Sequence, residues 1–236
     1  MATATSAKSM TPVKILTPAK HKFGNVSTVT LVVGEKKTPF HLHMDILCEA
    51  SSFFKAAFLG NFKESSEKTM QLTEDDEDTF ELFVNWLYGQ RYEMLPEVKR
   101  DGDEVGVKER FLPAFRLYVL ADKFEVFKLK SLIIEALFAG LAVAKWCPSE
   151  ASVAYAYEHT TQCSGLRKIL ADFHGWKVRL GWYQLPDGQA FLRQQPDFAT
   201  DLAVIFTKRI EKGPGYNPFE GDMPEEYKDK DQGQEK

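Results

Sequence analysis

The chain has 236 residues with 30 basic and 34 acidic side chains, a net charge of −4, which lacks the basic face needed to neutralise phosphates and so speaks against direct nucleic-acid or anionic-membrane binding. Its 44% hydrophobic and 13% aromatic content suffices for a core, while no apolar run approaches the ~20 residues that span a bilayer. The N-terminus lacks the apolar stretch of a signal peptide, which predicts a cytoplasmic or nuclear location, and Cys48, Cys147 and Cys163 are too widely spaced for a disulfide framework or zinc site.

Residues 1–22 contain Lys8, Lys14, Lys20 and Lys22 without an acid, and Pro12 and Pro18 interrupt the one apolar cluster, so a disordered tail is predicted. Val29, Leu31 and Val33 alternate with less apolar neighbours as a strand, a polar turn covers Gly34 to Lys37, and Phe40 and Leu42 continue the alternation in a hairpin. Ile46, Leu47 and Ala50 form one short helical face. Ser51 is placed to cap a second, on which Phe54, Ala57 and Phe58 share a side before Gly60.

Met70 and Leu72 repeat the strand pattern. The acidic run Glu74 to Asp78 then precedes Phe80, Phe83, Val84, Leu87 and Tyr88, at i, i+3, i+4, i+7 and i+8 of a helix whose start favours negative charge. Residues 91–110 hold Pro96, Gly102 and Gly106 among charged side chains and predict an exposed loop.

Periodicity returns with Leu112, Phe115, Val119 and Leu120, and again with Leu129, Leu132, Ile133, Ala136 and Leu137, as two antiparallel helices. Beyond these, Ser149, Ser164 and Asp197 are placed to cap three more helices, the second of which Gly175 would stop. From 213 to 236 Gly, Pro and charged residues predominate, which predicts a disordered acidic tail.

Candidate chemistry is sparse. His41 and His43 fall on one face of a strand, but no Cys, Asp or Glu cluster completes a metal site, and the acidic run lacks the alternating ligands and central Gly of a calcium loop. Cys48 sits on an apolar-flanked helix and is expected to pack. No phosphate-cradling loop, G-x-S-x-G or H-E-x-x-H occurs, so no catalytic residues, metal or cofactor are expected. Trp146, Trp176, Trp182, Tyr155 and Tyr157 fit either a peptide groove or, preferred here, a small helical core.

The stretch from Phe40 to Gly89 resembles the BTB (POZ) domain. The likeness lies in an H-x-x-x-L-x-x-x-S-x-x-F series at His43, Leu47, Ser51 and Phe54, an F-x-E-S step at Phe62 to Ser65, and a strand, acidic turn and helix ending Leu87-Tyr88-Gly89. It extends through LYVLADKFEVFKLKSLIIEAL and covers about Val26 to Phe138. The resemblance implies an α+β fold, a small sheet covered by helices, over 23–140, followed by a helical extension at 141–212. The pattern is most similar to stand-alone fungal BTB proteins. His43 would be a packed residue at a strand-to-helix junction.

By the same resemblance the chain is a non-catalytic interaction module, an adaptor that brings a target to a cullin-based ubiquitin ligase. The alternative is a self-associating scaffold or transcription regulator. Phe62-Lys63-Glu64 is similar to the hydrophobic-x-acidic step with which cullin-binding members meet the scaffold, the apolar side chain filling a pocket and the carboxylate accepting hydrogen bonds. Equally open is that Phe62 closes the core and Glu64 is merely solvated. Phe58, Leu59 and Tyr88 complete the expected protein-binding set. Repressor-type dimers carry an Asp and an Arg where this chain has Thr28 and Met44. The prolines also leave little room for the N-terminal helix such dimers exchange. A weak homodimer through the hairpin face of Phe53, Phe58 and Leu59 is therefore expected.

Overall fold

The computed structural model describes residues 27–89, 111–143, 147–213 and 215–229. The expected tail at 1–22, the expected loop at 91–110 and Trp146 lie outside the described residues.

β1 (Thr28–Val33) and β2 (Thr38–His43) pair antiparallel with Leu31 opposite Phe40. Between them Gly34 has φ +74°, and a side chain there would collide with Glu77. β3 (Thr69–Leu72) pairs in parallel with the other edge of β1, Leu31 opposite Met70, so the sheet order is β2-β1-β3. A parallel neighbour needs a crossover. Three short helices supply it: α1 (Met44–Ala50), α2 (Ser52–Leu59) and α3 (Lys63–Glu67). The last, short and polar, has no apolar period by which the sequence would announce it. A single residue, Ser51, separates α1 from α2. Its hydroxyl accepts from the Phe54 N–H at 3.1 Å and donates to the Phe124 carbonyl at 2.6 Å, so one cap also joins distant parts of the chain.

α4 (Glu77–Gly89) is capped by Asp76, whose carboxylate accepts from the Thr79 N–H and hydroxyl at 2.8 and 2.6 Å. It buries Phe80, Phe83 and Leu87 as expected, together with Trp86, which widens the apolar stripe. α5 (Leu112–Lys123) and α6 (Phe127–Val143) follow. Glu125, at φ 53°, turns the chain between them and directs Phe124 back among Phe54, Phe80 and Phe83, with ring centroids 4.7 to 6.3 Å away. An aromatic cluster thus joins α2, α4 and the α5–α6 turn within the core. The expected α+β architecture, a small sheet with helices packed on it and further helices beyond, is observed.

The later helices are α7 (Glu150–His159), α8 (Gly165–Lys177), α9 (Leu180–Gln184), α10 (Pro186–Gln194) and α11 (Pro196–Lys212). Ser149 and Ser164 cap α7 and α8 as expected. Two readings need correction. Gly175 does not stop α8; it lets α11 approach, since a Cβ there would stand 2.3 Å from the Ile205 Cγ2. Asp197 does not cap α11, because Pro196 already occupies its first turn. Instead the Asp197 carboxylate pairs at 3.3 Å with Arg167.

Arg167, though buried, has full hydrogen bonding: it donates to the Tyr157 and Thr160 carbonyls and the Thr160 hydroxyl, and its guanidinium lies 4.6 Å from the Tyr157 ring centre. This satisfies the free carbonyls at the end of α7, which burial would otherwise leave unpaired. Around it Val153, Tyr157, Phe191, Phe198 and Leu202 form a second apolar cluster, against which Trp182 and Tyr183 pack. Among the described residues no helix is long and apolar enough to cross a membrane.

The largest departure concerns the C-terminus. Residues 215–229, expected to be part of a disordered acidic tail, lie against α5, α6 and α8 with Phe219 and Tyr227 buried in the main core. Composition alone argues for disorder here, yet the burial of the Phe219 and Tyr227 rings offsets the ordering of several polar neighbours.

Candidate protein-interaction surface

Leu59 is the last residue of α2 and Phe62 the residue before α3, so a corner joins them. At that corner the Gly60 N–H bonds the Ala56 carbonyl at 2.9 Å, and a Cβ on Gly60 would come within 2.3 Å of the same oxygen. Only glycine permits so tight a return. The consequence is an apolar projection: Leu59 is 57% and Phe62 62% exposed. Phe62 therefore does not close the core. Glu64, in the first turn of α3, is half-buried beside it.

Phe58 is a correction to the expected set. It is completely buried, stacked 6.3 Å from Phe54, because α2 turns residues 54, 57 and 58 inward and leaves Leu59 as its one large apolar side chain exposed to solvent. The hairpin face proposed for self-association shrinks accordingly to Leu59 and the half-buried Phe53.

Tyr88, 40% exposed near the end of α4, is set apart from this corner by its bonding. Its hydroxyl accepts from the His43 N–H at 3.0 Å and lies 2.9 Å from His43 Nδ1. The side chain thus ties α4 to the β2–α1 junction, with one edge left to solvent. Next to that junction the Lys68 ammonium lies 3.6 Å from the Met44 sulfur, so a contact path runs from Tyr88 through His43 and Met44 to the end of α3. Thr28 pairs with His43 in the sheet register and is exposed.

Of the acidic run, two carboxylates have structural roles. Asp75 is buried and paired with Lys123 of α5 at 2.7 and 2.8 Å. The Thr79 hydrogen bonds hold Asp76 below the usual carboxylate range. His41 Nδ1 bonds the Thr30 hydroxyl and His43 Nδ1 the Tyr88 hydroxyl, so the H-x-H pair is divided between two partners. Among the described residues no group of three or more His, Cys, Asp and Glu is arranged to hold a metal. Burial pushes the Cys48 thiol up, away from the reactive thiolate.

A second polar constellation has almost no signal in the sequence. Tyr118, Lys130, Gly165 and Asp172 converge on Tyr227 and Asp229 of the C-terminal strap, residues 215–229. Its one sequence signal is the pair Phe219 and Tyr227 standing in an otherwise polar segment.

Residues 19–105 match the family model of the BTB/POZ domain. The match ends before α5. No curated protein matches the chain.

Proposed function

We propose that this chain, whose BTB/POZ domain is a protein-protein interaction module, acts as a non-catalytic adaptor that presents the Leu59–Phe62–Glu64 corner to the helices of a cullin scaffold and so recruits a target to a ubiquitin ligase. The observation that supports this most is the exposed Phe62 ring. A large aromatic held in water beside a second exposed apolar side chain costs solvation and offers an anchor that a pocket could desolvate. Glu64, one helical step away and half-buried, is placed to accept hydrogen bonds at the rim of such a contact.

Pull-down with a cullin N-terminal region tests the reading. Phe62→Ala and Glu64→Lys should each abolish capture while leaving the circular-dichroism spectrum and melting temperature unchanged, because both side chains stand largely outside the core. Undiminished capture by both variants refutes the adaptor reading.

A further inference from the structure

The strap occupies a socket to which both halves of the chain contribute. Tyr227 is fully buried, its ring 6.1 Å from that of Phe138 on α6, and its hydroxyl donates to Asp172 of α8 at 2.8 Å. Two residues on, the Asp229 carboxylate accepts from the Gly165 N–H in the first turn of α8 at 2.8 Å and from the Tyr118 hydroxyl at 2.5 Å. The Lys130 ammonium, on a side chain only 6% exposed, lies 3.6 Å away. A helix N-terminus, a buried cation and a phenol thus converge on one anion. Gly165 is required: a Cβ would stand 1.9 Å from the Tyr227 carbonyl oxygen. Phe219 adds an upstream anchor, stacked 5.5 Å from Phe138 and edge-on to Phe173 at 5.9 Å. An open cleft of about 1410 Å³, lined in part by Asp122, Ser164, Lys168, Lys228 and Asp229, runs alongside.

We propose that this socket is a peptide-binding site that reads a tyrosine followed two residues later by an aspartate, and that the strap of a second copy of the chain exchanges with the resident one. The anchors that hold the strap, on α5, α6 and α8, and the Lys208–Glu226 pair at 2.6 Å with α11, all lie outside the tether. The same contacts are therefore available in trans. The tether begins at Gly213, with φ +80°, and includes Gly215, a short connection of the kind across which elements exchange between copies. The resident strap has the advantage of an effective concentration in the millimolar range, so exchange is a high-concentration event and a free peptide must compete against it.

The test uses a fluorescent synthetic peptide of residues 215–229 and full-length chains. The peptide should bind a chain carrying Tyr227→Ala and Asp229→Ala, whose own strap is weakened, and bind the unaltered chain at least tenfold more weakly. Adding Gly165→Ala to the double variant should abolish binding, since alanine suits a helix start but fills the socket. Asp229→Asn is a milder variant that keeps the aromatic anchor and should show intermediate binding. Differently tagged chains that carry Leu59→Ser, which removes the exposed hairpin contact, should co-purify after incubation together at high concentration when the strap is unaltered, and should not when Tyr227→Ala and Asp229→Ala are added. Absence of peptide binding to both strap variants, binding that survives Gly165→Ala, or failure of the tagged chains with an unaltered strap to co-purify overturns the proposal.

Discussion

Replacing Tyr227 by phenylalanine removes one oxygen atom and leaves the ring that fills the core. In the unaltered chain that hydroxyl donates at 2.8 Å to Asp172, a carboxylate only 2% exposed. Burial raises the Asp172 pKa, and the Tyr227 hydroxyl is the strongest of the effects that oppose this rise, ahead of Lys208. The buried Trp176 indole N–H favours the charge only weakly, lying outside good hydrogen-bond geometry. A hydrogen bond to a charged group is worth about 1.5–3 kcal/mol, and here the acceptor is left without an equivalent donor. For a chain of this size 1 kcal/mol shifts the melting temperature by about 2–4 °C, so Tyr227→Phe should melt about 3–12 °C lower at pH 8. The sign of the pH dependence follows from the same carboxyl. Its folded pKa is already raised and rises further without the hydroxyl, so acidification protonates it and relieves the missing bond. The gap in melting temperature between the two chains should therefore narrow as pH falls through the raised pKa. Differential scanning calorimetry from pH 8 down to pH 4, the ordinary aspartate value above which this carboxyl titrates, measures it. A gap below about 1 °C at pH 8, or one that does not narrow, would show that the strap is not docked through this pair.

Ser51→Ala should cost about 1–3 kcal/mol by urea denaturation, since it uncaps α2 and leaves the buried Phe124 carbonyl without its donor; a loss under 0.5 kcal/mol would contradict the double role. His174 is wholly enclosed, its Nδ1–H donating to the Leu170 carbonyl at 2.9 Å, and burial lowers its pKa to about 4. A lowered histidine pKa means that the unfolded chain takes up the proton first, so stability is lost as pH falls below 6.5 and the loss is complete near 4. The advantage of the unaltered chain over His174→Gln should shrink by about 2 kcal/mol between pH 7 and pH 5, and a constant advantage would refute the assignment. Sedimentation over a dilution series should show a monomer-dimer equilibrium at micromolar concentration, because the hairpin face offers only Leu59 and part of Phe53; a dimer that persists at nanomolar concentration would favour the scaffold reading over the adaptor one.

Much of the architecture was legible in the sequence because it is written in local patterns. Alternation around Leu31, Phe40 and Met70 specifies strands, the spacing of Phe80, Phe83 and Leu87 specifies α4, and Ser51, Ser149 and Ser164 announce helix starts through side chains that bond neighbouring backbone N–H groups. These are short-range effects, decided by chirality and by the 2.0 and 3.6 residue periods. Exposure at the candidate surface was not legible. Phe58, Leu59 and Phe62 are equally apolar in sequence, yet α2 turns the first into the core and the Gly60 return leaves the other two in solvent. Nor was the strap. Polar, glycine-rich composition argues for disorder when a segment is considered alone, and nothing local to Tyr227 or Asp229 reveals that Asp172, Gly165, Tyr118 and Lys130 await them 55 to 111 residues away. Sequence by itself determined which of the periodic apolar segments become strands and helices, though not the short α3, α9 and α10. Which side chains meet, and which remain free for a partner, was decided by tertiary structure, because burial and buried hydrogen bonding depend on groups that only the folded chain brings together.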